Sequence, residues 1–177
     1  MGKVEVRPHR IDCEMFRPAE KVPGMLLYAG RLSPEKQVDL LIRAAAQIPG
    51  TSLHLAGDGS ESHALLLLGE SLKASLVWHG FMAQRDLADL MGRASVFVLA
   101  SKYEQASKVL LEAMACGCLV VATPEASRGI IVDGRNGYFC LPMADYMAGV
   151  IRFALDDPSA DQIRAAAREY VLRCHSA

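Results

Sequence analysis

Apolar residues follow two alternating rhythms along this chain. Short, nearly unbroken apolar runs recur at MLLYAG (25–30), SLHLAG (52–57), SLVWHG (75–80), VFVLA (96–100) and LVVAT (119–123). Each reads as a strand covered on both faces, because a strand with one wet face alternates apolar and polar positions. Between the runs the spacing becomes helical. PEKQVDLLIRAAAQI sets Val38, Leu41, Ile42 and Ala45 on one face, with Pro34 placed for a first turn. ESHALLLLGESL, QRDLADLMGRA and the segment from Ser107 to Cys116 fill the later intervals. Beyond Thr123 the turn dipeptides Asp133-Gly134 and Asn136-Gly137 precede a short strand at Tyr138 to Leu141, and two helices near 143–156 and 160–173 finish the chain. The opening stretch, with Pro8, Pro18 and Pro23 and little periodicity, reads as a linker or partly extended lead-in over residues 1–24, ahead of a domain over 25–177.

Helices alternating with continuous apolar strands predict an α/β fold: a Rossmann-like, doubly wound parallel sheet with helices on both faces. Right-handed crossovers then bring every strand's C-terminal end, with the loop after it, to one edge, where ligands bind in such sheets. The loops starting at Gly30, Gly57, His79, Ser101 and Thr123 lie on that edge.

Composition narrows the partners. With 177 residues, about half of them hydrophobic, the chain can enclose one substantial core. A formal net charge of −1 leaves no excess positive field for nucleic acid or an anionic membrane surface, so phosphate binding would rest on a few placed groups. The five cysteines (Cys13, Cys116, Cys118, Cys140 and Cys174) are an odd number, scattered, and without histidines at zinc-ligand spacing. A reducing, cytoplasmic setting and no metal site are expected. The N-terminus lacks the apolar core of a secretory signal, and no run approaches the ~18 apolar residues of a membrane span.

The stretch SKYEQASKVLLEAMACG (101–117) carries two glutamates eight positions apart. On one continuous helix they would lie about 12 Å apart along the axis, too far to share a proton or a metal. Ser107 is a predicted N-cap, which leaves Glu104 in the preceding loop and puts Glu112 in the second turn. Glu112, among Val109, Leu110, Leu111, Ala113 and Met114, either pairs with Lys108 or accepts from ligand hydroxyls. Glu104 is either an exposed loop acid or a neighbour of the amides of Ala106, Ser107 and Lys108, whose helix start attracts phosphate. Arg31 and Lys36 are surface charges or phosphate ligands, and Lys36 in a helical first turn would oppose the dipole. Gly57-Asp58-Gly59 reads as a tight turn, since Ser62 takes the sixth position of a GxGxxG. His79 reads as a loop histidine shaped by packing or as part of the site.

Glu104, seven intervening residues and Glu112, followed by AMACG, resembles the signature of the retaining group 1 (family 4) glycosyltransferases. In order, YAGRLSPEK (28–36) resembles that family's phosphate-gripping segment, LHLAGDGSE (53–61) its second strand, VWHGF (77–81) its third, VDGRNGYF (132–139) its late turn and RPHRIDCEMF (7–16) its interdomain linker. The resemblance implies the C-terminal, donor-binding half of a GT-B enzyme, the N-terminal acceptor domain being absent. It implies that Arg31 and Lys36 bind the donor diphosphate, that Glu104 contacts the transferred sugar and that Glu112 holds the ribose hydroxyls. Gly30, Gln105, Ala106, Ser107 and Lys108 would adjoin the donor, and the loop from His79 to Gln84, with His79 and Phe81, would meet the base. The implied reaction moves a hexose from a UDP- or GDP-sugar onto a sugar or lipid-linked acceptor, with retention and without cofactor or metal, in glycan, polysaccharide or glycolipid synthesis. Acceptor and any peripheral membrane contact would belong to the other domain, so this chain alone would be inactive. Gln105 and Ser107 stand where the family favours glycine or proline, Ala100 where proline is common and Gly129 where glutamate is common. Two alternatives are a GT-B sugar-nucleotide epimerase, which would need further acid/base residues, and a non-catalytic doubly wound interaction or regulatory module.

Overall fold

A computed structural model describes residues 9–104 and 107–177; residues 1–8, Gln105 and Ala106, the last two both expected beside the donor, lie outside the described residues. Six strands form one sheet: β1 (Val22–Ala29), β2 (Ser52–Ala56), β3 (Leu76–Gly80), β4 (Ala94–Leu99), β5 (Leu119–Ala122) and β6 (Tyr138–Phe139). All pairings are parallel, in the order β3-β2-β1-β4-β5-β6. The order runs one way from β1 to β3 and the other way from β4 to β6, so the chain switches direction between β1 and β4. Ligands bind in the crevice that such a switch opens beyond the strands' C-terminal ends.

The apolar runs drive this arrangement. Every residue of β4 and β5 is buried, and the last five of β1 are as well. Leu26 lies beside Val96, Leu27 beside Phe97 and Val98 beside Val121, a layer of large side chains in adjacent strands. The helices are α1 (Val38–Ala45), α2 (Ser62–Ser71), α3 (Gln84–Arg93), α4 (Lys108–Ala115), α5 (Pro124–Ser127), α6 (Ala144–Asp156) and α7 (Ala160–His175). α1 packs against α2 and α6, while α4 packs against α3 and α7, in keeping with a doubly wound sheet. No helix among the described residues is long and apolar enough to cross a membrane.

The structure departs from the sequence-based expectation in four places. The helix expected from Pro34 is broken: Pro34–Lys36 form a 3-10 turn, Gln37 takes a left-handed φ of 51°, and α1 starts at Val38. Lys36 therefore sits outside the helix, and the dipole conflict expected for it disappears. β1 begins at Val22, before Pro23 and Gly24, because Pro23 needs no strand hydrogen bond at a strand start. β3 follows the expected run at 75–80 through Gly80, so His79, also expected to open the next loop, belongs to the strand. Ser107 does stand at the N-cap position of α4, but its hydroxyl makes no cap; it donates to the Ala126 carbonyl and ties α4 to α5. The lead-in packs onto the same core: Ile11 and Phe16 are each 1% exposed, and Ile11 forms a parallel bridge with Ser176.

Candidate functional site

The crevice at the switch point is a cleft of about 700 Å³, lined by Gly30, Arg31, Lys36, Tyr103, Glu104 and Val109 among others. Two loops frame it, one leaving β1 and one leaving β4. The first is held from beneath by Tyr28, whose buried hydroxyl donates to the Arg31 carbonyl at 2.8 Å. Burial, reinforced by the charges of Glu104 and Glu35, pushes the Tyr28 phenol far up, so it remains a neutral donor. A neighbouring loop presses on the same segment: at Gly57, with φ of +140°, a Cβ would lie 1.9 Å from the Gly30 carbonyl oxygen. Only glycine permits that approach.

The second loop brings its acid to the first loop's cation. Lys36 Nζ lies 2.6 Å from Glu104 Oε1, and the Ser101 hydroxyl donates to the same oxygen at 2.7 Å. Arg128 Nη1 donates to the Glu104 carbonyl at 3.1 Å, so side chain and backbone of Glu104 are both fixed. Ser101 is fully buried, and its own carbonyl accepts from Thr123 Oγ1 at 3.2 Å. A backbone bond from Lys102 N to the Glu35 carbonyl, 2.9 Å, joins the 3-10 turn to this loop directly. The Lys36 and Glu104 side chains keep 18% and 13% of their exposure, enough to exchange partners with an incoming ligand.

A smaller cleft of about 370 Å³ continues from the first, sharing Gly30, Arg31 and Leu87 with it and adding Gly57, Phe81 and Met82. Phe81 is 88% exposed, an unusual position for a large aromatic side chain unless something stacks on it. Arg31, exposed and common to both clefts, faces a charged compartment on one side and an apolar one on the other.

Other expected residues stand apart. Glu112 is 7% exposed and is not among the residues lining either cleft; its Oε1 lies 3.4 Å from Lys108 Nζ. Burial raises its carboxyl above the ordinary range, against the opposing pull of Lys108 and Gln84. His79 also lines neither cleft: its Nε2 is 2.9 Å from His54 Nδ1, and the two rings stack with centroids 5.1 Å apart. Burial, then the neighbouring His79 and Arg93, hold His54 below its ordinary value, so one neutral ring can donate to the other. Tyr28, Ser101 and Arg128 support the site without having been singled out for it. Tyr28 alone carried a local signal, as the polar-tipped residue ending an apolar run. Among the described residues there is no group of three or more His, Cys, Asp or Glu side chains placed to hold a metal.

Comparison with known proteins bears on the family and the fold. The family model for glycosyl transferases group 1 matches residues 14–170. The chain is 36% identical over 155 residues to a glycogen synthase of Mycobacterium tuberculosis, covering 82% of this chain and 37% of that protein. Among solved structures, a sucrose-phosphate synthase from Thermosynechococcus elongatus superposes with a TM-score of 0.88 at 26% identity, covering 96% of this chain and 48% of that one. HepE of Anabaena, solved with UDP-glucose, shares the fold with a TM-score of 0.85 at 23% identity, over 94% of this chain and 52% of its own. The chain thus spans about a third to a half of the length of these proteins.

Proposed function

Because the chain belongs to the glycosyl transferases group 1 family, we propose that it is the nucleotide-sugar donor-binding domain of a retaining hexosyltransferase of GT-B architecture. One observation carries the reading: Lys36 and Glu104, 68 positions apart in sequence, meet at 2.6 Å across the switch-point crevice, with Arg31 on the same cleft. Arg31 and Lys36 grip the donor diphosphate. As the glycosidic bond breaks, charge grows on the departing phosphate oxygen, and two fixed cations stabilise it more than they stabilise the bound donor. Lys36 then trades its carboxylate for phosphate, which frees Glu104 to accept from hydroxyls of the transferred sugar. Phe81 and Met82 supply the apolar compartment for the base.

For Glu112 to hold the ribose it must give up Lys108 and open toward the cleft, since it is buried and lines neither cleft in this structure. The acceptor is bound by the part of the relatives' length that this chain does not span, so the chain alone binds donor without turning it over. Its described cysteines are all free, which fits a reducing cytoplasm. UDP-glucose, held by HepE, is the first donor to try, with GDP-hexoses next.

Calorimetric titration of UDP and GDP into the wild type and a Glu112→Ala variant tests this. One nucleotide is expected to bind saturably, and the variant to bind it about tenfold more weakly, a loss of ~1.4 kcal/mol. Absence of saturable binding by either nucleotide contradicts the reading.

A further inference from the structure

Where β1, β2 and β4 begin, at the end of the sheet opposite the donor cleft, a separate cleft of about 540 Å³ opens. It lies about 20 Å from Gly30, the reach of six β1 residues at ~3.3 Å each. Three cations line it, Lys21 before β1, Arg152 on α6 and Arg164 on α7, against the one lining carboxylate of Asp156. None of the three is needed by the switch-point site.

The bonds these cations make leave their charge largely uncompensated. Lys21 Nζ donates to the carbonyls of Gly92 and Cys116, each at 2.8 Å, which fixes the amine but supplies no negative charge. Burial, with a smaller contribution from Arg164, pulls that amine below its ordinary value. Arg164 pairs through Nη1 with Asp161, which is 95% exposed and so weakly effective as a counter-ion. Its Nη2 reaches the Ser95 carbonyl only at 3.5 Å, and its buried Nε has no acceptor. Arg152 is exposed, its Nε making one long contact of 3.4 Å to the Ala148 carbonyl. Cations brought together in a concavity are repelled by one another, and an oxyanion relieves all three at once.

We infer that this cleft binds a small molecule carrying a phosphate group. A dianion balances the net charge of its lining, and Pro23, Ile48, Pro49 and Leu155 offer an apolar wall for a small organic body. Concavity favours a discrete ligand over a membrane surface. Asp156 and the carbonyl end of α6 oppose the anion, which limits half-saturation to the millimolar range.

The test is an amide-resolved NMR titration of the chain with inorganic phosphate and then with glucose 6-phosphate, against potassium chloride at matched ionic strength. Saturable shifts are expected at Gly24, Thr51 and Ser95, at lower concentration for the ester, and weakened at least fivefold by Arg152→Gln. Arg152 is exposed, so that variant keeps its fold; Arg164→Lys, which keeps charge but not the guanidinium geometry, is expected to weaken binding as well. Shifts confined to Gly30 and Arg31, shifts reproduced by chloride, or saturation unchanged in Arg152→Gln would overturn the inference. Uptake onto phosphatidylglycerol vesicles that Arg152→Gln abolishes would assign the phosphate to a lipid headgroup and overturn the small-molecule reading.

Discussion

A carboxylate at position 112 sits in a helix whose next residues on both sides are buried and apolar, where desolvation makes its charge costly. Burial raises its folded pKa above the ordinary value, so the folded state favours the protonated form. The stabilisation that this lends is complete below the ordinary carboxylate pKa and is lost as pH rises through the folded one. Glu112→Gln mimics the protonated form, and it is expected to raise Tm at pH 7.5 while making little difference at pH 4. A gain of ~1 kcal/mol would read as about 2–4 °C in a chain of this size. Melting curves at the two pH values check it, and a larger gain in acid would contradict it. At this scale the sequence was only partly legible. The choice at Glu112 between a Lys108 pair and a ligand contact stayed open, and the structure supplies the pair. Residue spacing could not show the Lys36 and Glu104 contact, because proximity between residues 68 positions apart is a property of topology; only the family resemblance had brought both to one donor.

Elements were more legible, because periodicity is local. The runs at 96–100 and 119–123 and the final two helices are where their patterns put them, within about two residues. Misreadings fell where backbone conformation overrode pattern. Gln37 adopts a left-handed conformation that its side chain does not advertise, and it splits the expected first helix into a turn carrying Lys36 and a helix packed on the sheet. His79 was expected both in the run at 75–80 and at the start of the next loop, and strand pairing of Gly80 with Ala56 puts it in the strand. The loops that build the cleft depend on one close approach between elements, Gly57 against the Gly30 carbonyl. Gly57→Ala is therefore expected to cost about 2 kcal/mol and lower Tm by roughly 4–8 °C. It is also expected to move the amide signals of Gly30 and Arg31, which link the site to that contact. Thermal melts and an amide spectrum of the variant check both, and an unchanged Gly30 signal would show that the approach does not govern the loop.

Taken whole, the molecule carries almost no net charge, yet five of its nineteen Lys and Arg residues line clefts at the two ends of one parallel sheet. At the C-terminal ends of the strands, Arg31 and Lys36 share a crevice with Glu104 and border an apolar compartment at Phe81; at the N-terminal ends, Lys21, Arg152 and Arg164 share another. Sheet polarity and the β1/β4 switch place the first of these; the alternation of strands and helices foretold its edge of the sheet, while the switch itself came only with the strand order. The second depends on how α6 and α7 return across the strand starts, and nothing in local pattern announces it. The proposed function requires the crevice to recognise a diphosphate through its cations, with the base as a secondary contact. Comparing UDP with uridine by calorimetry, in the wild type and in Lys36→Met, tests that claim most directly. UDP is expected to bind saturably, uridine at least tenfold more weakly, and Lys36→Met to remove most of that difference. Equal affinity for UDP and uridine, or a Lys36→Met protein that binds UDP as the wild type does, would contradict it.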